Sequence, residues 1–406
     1  MSQARQEQAP KLSGHTGASQ RETVPFTLRQ LLAYFLRLGT FGFGGPIALA
    51  GYMQRDLVDE RRWISRQDYL EGLALAQLAP GPLAAQLAIY LGWVRARNLG
   101  ATLVAAAFIL PSFLMVLALS ALYVHYGGLP WMQGLFYGIG AAVIAIIARS
   151  AVKLVRMTLA KDWLLWSLFA LNTLVTAWTA REVVWVFLLS GAVALMVKAP
   201  PRRRRATAAL SLAPWAKVLV TGLHGVASGG TLIKILLFFA EAGAFVFGSG
   251  LAIVPFLHGG VVEQFHWLSD HQFLDAVAVA MITPGPVVIT VAFIGYLVAG
   301  PAGATSASIG VFLPCYLFVI IPAPTYRRWA GNLSIKAFVN GVTAAAAGAI
   351  GGAAFVLGRR AIVDVPTLLI FAAVLAVLAG VKKIPEPLVI LAAGGAGLLM
   401  KGMSAG

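Results

Sequence analysis

Leu73-Ala74-Leu75-Ala76-Gln77-Leu78-Ala79-Pro80-Gly81-Pro82 ends an apolar run on a cluster of helix breakers, and Thr283-Pro284-Gly285-Pro286 repeats that ending 204 residues later. Two prolines cannot continue a helical hydrogen-bond ladder, and the glycine between them admits a reversal or an unwound stretch. The same offset carries Trp63-Ile64-Ser65 onto Trp267-Leu268-Ser269, Phe43-Gly44 onto Phe247-Gly248, Glu71 onto Asp275 and Arg37 onto Glu241. Beyond the triplets the offset falls to 203, where Gly100-Ala101-Thr102 meets Gly303-Ala304-Thr305 and Leu110-Pro111 meets Leu313-Pro314. The chain is a duplication that lost one residue after the triplet. Its breakers lie where a membrane helix should be smoothest.

Hydrophobic residues make up 59% of the chain and charged residues 11%, with a mean hydropathy of +0.82. Soluble domains carry about 25% charged residues, so a soluble enzyme is excluded. Apolar runs of roughly 18 residues recur from end to end, the pattern of a polytopic helical membrane protein. The alternating ~10-residue stretches of a β-barrel are absent from the sequence. The net charge of +16 sits largely in short loops, as the positive-inside rule expects, and does not call for nucleic acid. Residues 1–24 lack the apolar core of a signal peptide and read as a disordered cytoplasmic tail. A single cysteine, Cys315, forms no disulfide framework and reads as a small packing residue.

Six apolar segments fill each half, 25–198 and 231–406, around a basic linker at 199–230 containing Arg202-Arg203-Arg204-Arg205. The first half has segments at 26–51, 68–94, 100–124, 132–149, 163–179 and 183–198, and 206–230 is apolar enough to add a crossing. Loop charges set the orientation. Arg55, Arg61, Arg62, Arg66, Arg95 and Arg97 flank the second segment of the first half, whereas loop 257–272 and the stretch at Gly300 have no Lys or Arg. That reversal favours opposite orientations for the halves, an all-α inverted repeat with broken or re-entrant helices. Arg359 and Arg360 fall against it. Whether 26–51 and 68–94 span or re-enter is left open by the sequence.

Three features can carry chemistry. Gly39-Thr40-Phe41-Gly42-Phe43-Gly44-Gly45-Pro46 is matched by Gly243-Ala244-Phe245-Val246-Phe247-Gly248-Ser249-Gly250. Glycine inside a helix costs about 1 kcal/mol relative to alanine. Bare amides in such a turn can bind an anion, while a tight helix contact through small residues is the plainer reading. The Pro-Gly-Pro breaks are the second feature. A helix is expected to start at Ser65, with Asp68, and at Ser269, with Gln272, and to run into each triplet. Paired interruptions of this kind mark transporter binding sites, although single proline kinks are common.

Ionisable residues in apolar runs are the third feature. Burying such a charge in lipid costs ~2.5 kcal/mol or more. Arg37 and Glu241 occupy equivalent positions with opposite sign and are expected to approach each other, either as anion-attracting and proton-carrying groups or as a structural pair. Glu71 and Asp275 fit either proton coupling or complementing a helix dipole. His258, His266 and His271 share a loop and read as solvated, without metal-ligand spacing. No nucleotide-binding loop or hydrolase motif appears, so no cofactor is expected and ion gradients are the simpler energy source.

The string Phe41-Gly42-Phe43-Gly44-Gly45-Pro46, then Trp63-Ile64-Ser65, then Leu73 to Pro82 resembles the signature of the chromate ion transporter family, in its long two-domain form. The resemblance implies export of chromate from the cytoplasm of a bacterium across the inner membrane, driven by the proton gradient and conferring resistance. It also implies sulfate as competitor and oppositely oriented halves, and the polar tail reads as a cytoplasmic N-terminus. On this reading chromate, protons, the bilayer and a second copy in a homodimer are the expected partners. The substrate-binding residues would be Arg37, Gly42, Phe43, Gly44, Gly45, Gln77, Pro80, Gly81 and Pro82. The second copy would add Phe247, Gly248, Ser249, Gly250, Thr283, Pro284, Gly285 and Pro286, with Glu241, Glu71 and Asp275 as proton carriers. The second copy departs from the pattern at Met281, Gly250 and Phe265-His266, so the halves should contribute unequally. An uncoupled anion channel and a sulfate or other oxyanion uptake carrier are the alternatives.

Overall fold

The computed structural model describes residues 23–43, 45–126, 130–159, 162–179, 184–199, 229–245, 253–326, 332–381 and 384–404, and these contain helices but no strand. The N-terminal tail up to residue 22, the linker residues 200–228, Gly44 and Phe247-Gly248-Ser249-Gly250 lie outside the described residues. The first repeat runs α1 (Leu28–Phe41), α2 (Gly45–Met53) with a π-helical stretch Gln54–Glu60, and α3 (Arg66–Leu78). It continues as α4 (Leu83–Tyr126), α5 (Pro130–Thr158), α6 (Trp163–Thr179) and α7 (Val184–Lys198). The second runs α8 (Gly229–Phe245), α9 (Ile253–His258) with a π-helical stretch Gly259–Gln264, α10 (Asp270–Ile282), a 3-10 turn Val287–Ile289 and α11 (Thr290–Ile320). Then follow α12 (Leu333–Ala361), α13 (Val365–Gly380) and α14 (Glu386–Ser404). Among the described residues, four helical stretches, 83–126, 131–153, 287–325 and 333–361, are long and apolar enough to cross a membrane.

The helix starts follow from their caps. Ser65 Oγ accepts from the Asp68 N–H at 3.0 Å, and Ser269 with Gln272 forms a reciprocal capping box at 3.3 and 3.0 Å, as the sequence predicts. The Ala79 and Thr283 N–H groups close the last turns on Leu75 and Val279, and the prolines that follow each have no donor to extend them.

The apparent 44-residue α4 would measure about 66 Å if straight, twice the hydrocarbon core of a bilayer. It is not straight. Ala96 (φ −148°, ψ 35°) and Arg97 (φ 50°, ψ −140°) leave the helical region, as do Ala299 (φ −148°, ψ 30°) and Gly300 (φ 60°, ψ −154°) in α11. At both bends the chain folds back on itself. A Cβ on Gly92 would lie 2.5 Å from the Gly100 oxygen, and a Cβ on Gly295 would strike Gly303 in the same way. Arg62 (φ 53°) and His266 (φ 50°), 204 residues apart, share another left-handed position.

The lost residue has a structural explanation. From Pro82 the first repeat enters α-helix directly, whereas the second inserts the 3-10 turn after Pro286. A 3-10 turn rises ~2.0 Å per residue against ~1.5 Å in an α-helix, so three residues gain about the rise of one. Nine residues from Pro286 to Gly295 thus do the work of ten from Pro82 to Gly92.

One end of the molecule gathers Phe26, Trp63 and Arg95. Arg95 Nη2 donates to the Phe26 oxygen at 2.8 Å, Phe26 stacks on Trp63 at 5.3 Å, and the Val24 N–H donates to the Arg62 oxygen at 2.8 Å. The chain therefore leaves and returns to this end twice, through α1–α2 and through α3 and the first arm of α4. The second arm, residues 98–126, leads to the opposite end. There Arg360 donates to Glu263 Oε1 at 2.6 Å and Asp270 Oδ1 at 2.5 Å, and Tyr137 bonds Asp364. Asn98 and Thr102, early in that arm, bond Tyr316 near the end of α11, so the two long arms run antiparallel.

Packing follows the duplication. α1 packs on α4 and α8 on α11, α4 and α11 pack on each other, α5 meets α13 and α14, and α12 meets α6 and α7. Small residues set the approach, as expected where lipid supplies no hydrophobic drive between helices. Gly39 rests on the Phe108 backbone and Gly243 on the Val311 backbone, with no room for a Cβ at either. The plainer reading of the glycine motifs holds at these two positions.

Candidate functional site at the crossed breaks

Each Pro-Gly-Pro triplet lies against the other repeat. The Gly285 N–H donates to the Gly42 oxygen at 2.9 Å, joining the second triplet to the break between α1 and α2. Ser112, in the long arm of α4, donates its hydroxyl to the Gly39 oxygen at 3.2 Å, and a Cβ on Gly285 would collide with that hydroxyl. Cys315, the counterpart of Ser112 at the 203 offset, lies against Gly81 of the first triplet and donates to the Val311 oxygen at 3.0 Å. Gly81 (φ 135°) and Gly285 (φ 102°) hold conformations that L side chains rarely adopt, and both lack space for one. The break between α1 and α2 is thus bonded to the second triplet, and the first triplet rests on α11 of the second repeat.

Those bonds also limit what the site offers. The Gly285 amide is engaged by Gly42, so it is not a bare donor waiting for an anion. Thr283 Oγ1 donates back to the Val279 oxygen at 2.6 Å. Arg37, Gln77 and Phe43 are exposed, as are Phe41 and Ile47 around the same break. Pro80 is half-buried and Pro82 buried, and Gly45 (φ 75°) has open space around its α-carbon.

Arg37 and Glu241 form no ion pair, contrary to the expectation from their matched positions. The architecture explains this. α1 packs on α4 and α8 on α11, and those two long helices stand between the equivalents. Glu71 and Asp275 are placed differently. Glu71 accepts from Gln67 at 3.0 Å and from Tyr90 at 3.4 Å within its own repeat. Asp275 accepts from the Tyr123 hydroxyl of the other repeat at 2.7 Å.

Gln86 escaped the sequence reading. It is fully buried, its Nε2 donates to the Pro80 oxygen at 2.5 Å, and its Oε1 has no partner among the described residues. A buried amide is costly unless bonded, and a lone glutamine in the run 83–93 was the signal that could have found it. Ile289 and Thr290 fall at the matching places of the second repeat, where there is no amide.

His258 also corrects an expectation. It is buried rather than solvated, and its Nε2 lies 2.7 Å from Asp270 Oδ1. Burial works to raise the Asp270 carboxyl, but the His258 and Arg360 bonds outweigh it and hold that group below its ordinary range. His266 and His271 are exposed as expected. Among the described residues no group of three His, Cys, Asp or Glu side chains could hold a metal ion. A cavity of about 330 Å³ between α13 and α14, lined by Ile370, Val374, Leu388 and neighbouring aliphatic residues, has no polar side chain to hold an oxyanion.

A family model described as chromate transporter matches residues 29–195 and 233–398. A chromate transport protein of Cupriavidus metallidurans is 56% identical over 392 residues, which cover 96% of this chain and 98% of that protein. A probable chromate transport protein of Synechococcus elongatus is 56% identical over 381 residues, 92% of this chain and 96% of the relative. A chromate transport protein of Pseudomonas aeruginosa is 36% identical over 399 residues, 93% of each. No solved structure matches the chain. The two matched regions each contain one Pro-Gly-Pro triplet and correspond to the two copies read from the sequence, and the chain belongs to the chromate transporter family.

Proposed function

We propose that the protein is a secondary active transporter that exports chromate from the cytoplasm of a bacterium in exchange for protons, and so confers chromate resistance. The observation that carries the reading is the seating of each Pro-Gly-Pro triplet against the other repeat, in a chain whose closely similar relatives are chromate transport proteins. Broken helices at membrane depth are tolerated where they line a cavity or are buried in protein. Transporters of inverted-repeat design place their substrate there. The six arginines around α3 put the Phe26–Trp63–Arg95 end, and with it the N-terminus, in the cytoplasm by the positive-inside rule. Of the two arginines that count against inversion in the sequence, Arg360 is neutralised by Glu263 and Asp270, which supports opposite orientation of the repeats and leaves Arg359 against it. On this reading α1–α2, and α3 with the first arm of α4, are re-entrant pairs.

Opening of the Gly42–Gly285 contact would free backbone donors for a tetrahedral dianion, with Arg37 drawing it from the surface and the polar end of Gln86 close by. Asp275 and Glu71, each on a half-helix that ends at a triplet, would carry the protons, with Glu241 as a further candidate. Sulfate, of the same charge and shape, would compete. In everted vesicles, labelled chromate should accumulate when a proton gradient is imposed and stop when it is collapsed. Accumulation unaffected by collapse would exclude antiport and favour an uncoupled pathway. Arg37→Ala should weaken transport with the protein still in the membrane.

A further inference from the structure

Two carboxylates and two tyrosines repeat together. Asp275 follows Glu71 by 204 residues, and Tyr326 follows Tyr123 by 203. Tyr123, on α4 of the first repeat, donates to Asp275 Oδ2 on α10 of the second at 2.7 Å. Its ring is fixed edge-on against Phe136 at 5.5 Å and Phe293 at 5.2 Å. The half-helix α10, which ends at the second triplet, therefore has its carboxylate bonded to a tyrosine of the opposite repeat. Nothing in the sequence pattern of one repeat alone requires this.

We propose that Tyr123 is a positioning residue that ties the proton-carrying half-helix α10 to the opposite repeat, and that protonation of Asp275 loosens the tie. The inference rests on the proton-coupled reading above. A phenol donating to an ionised carboxylate makes a strong charge-assisted bond and favours the ionised form. When a proton binds Asp275 Oδ2, that bond loses its charge assistance and α10 is freed from α4. Proton arrival is thereby linked to the contact between repeats through Asp275. Among the described residues, the elements packed on α10 bring one titratable group to Asp275, the Tyr123 phenol. Arg149 and Lys153 of α5 act on Glu386 of α14, and Asp270 on the same helix is taken up by His258 and Arg360. Glu71, the counterpart of Asp275, is held by Gln67 and Tyr90 of its own repeat.

The test is the pH dependence of chromate accumulation in everted vesicles containing the full chain. Tyr123→Phe should move the midpoint of the profile to higher pH by about one unit. Fluorotyrosine at position 123, a stronger donor of nearly the same shape, should move it the other way and guards against a folding defect in the phenylalanine variant. An equal loss at every pH in Tyr123→Phe, or a midpoint unmoved by fluorotyrosine, would overturn the inference while leaving antiport intact. Failure of the unmodified protein to accumulate chromate on a proton gradient would instead overturn the functional reading.

Discussion

At the end of the molecule where the first repeat turns back, cations rest on aromatic rings. Arg61 lies 4.7 Å from the Trp63 ring, Arg95 lies 5.1 Å from that of Phe26, and Arg97 lies 4.4 Å from that of Trp93. The matching rim of the second repeat is built on a different plan. Phe238, Phe256, Phe265 and Trp267 pack ring against ring, and the charge is a paired cluster of buried His258 with half-buried Glu263, Asp270 and Arg360. The backbones agree down to the left-handed residues Arg62 and His266 and the bends at Arg97 and Gly300. Duplication fixed the path of the chain and left the rim chemistry to diverge. On the proposed inverted arrangement one rim is positive and the other neutralised, which agrees with the positive-inside rule, since that rule acts on loops and not on folds.

Breaking the comparison at its charged interior should have the largest effect. Asp275→Asn should reduce proton-driven accumulation by about 100-fold, and Glu71→Gln by about 10-fold, since Glu71 shares its neighbours with Gln67 and Tyr90. Equal losses would show that the repeats contribute equally. Next come the two triplet glycines. A Cβ on Gly285 lies 3.0 Å from the Ser112 Cβ as well as striking its hydroxyl, whereas a Cβ on Gly81 meets the movable amide end of Gln86 at 2.5 Å and Cys315 Sγ at 2.9 Å. Gly285→Ala should therefore destabilise the protein by about 3 kcal/mol and Gly81→Ala by less, read as thermal unfolding in detergent.

The rims differ also in their response to acid. Burial pushes the His258 imidazole below its ordinary range, against the pull of Asp270, and the Asp270 carboxyl is held low as well. The unfolded chain thus binds protons that the folded one refuses. The stability from His258 is present above about pH 6.5 and is lost as pH falls below it, and that from Asp270 is lost below about pH 4. The unfolding temperature should drop between pH 7.5 and 5.5, and His258→Gln should flatten that drop. The first rim has Gln54 and Arg66 at these positions and should add nothing to it. The smallest change is expected from Arg95→Ala, about 0.5 kcal/mol for an exposed cation on a ring.

Much of this architecture was legible in the residues. Pro80-Gly81-Pro82 and Pro284-Gly285-Pro286 announced the breaks, and Ser65 and Ser269 announced the helices leading to them, because proline chemistry and capping are local. The bend at Ala96-Arg97 was hidden. Its counterpart Ala299-Gly300 has a glycine and a following proline, but Arg97 takes the same left-handed conformation without any such signal. Cross-repeat partners were hidden too. Which element faces Gly42 or Asp275 depends on how two copies pack, and matched positions need not be neighbours, as Arg37 and Glu241 show. Gln86 was passed over because a single amide changes an apolar run too little to register.

Opposite orientation of the two repeats underlies all of these readings, and one measurement tests it most directly. With Cys315→Ala as background, single cysteines at Glu60→Cys and Phe265→Cys would be labelled by a membrane-impermeant maleimide in sealed right-side-out and everted vesicles. These residues occupy the two rims just before equivalent Trp63 and Trp267. Labelling of position 60 in everted vesicles and of position 265 in right-side-out vesicles is the expected result. Labelling of both from one side would contradict the inverted arrangement and, with it, the alternating path for chromate and protons.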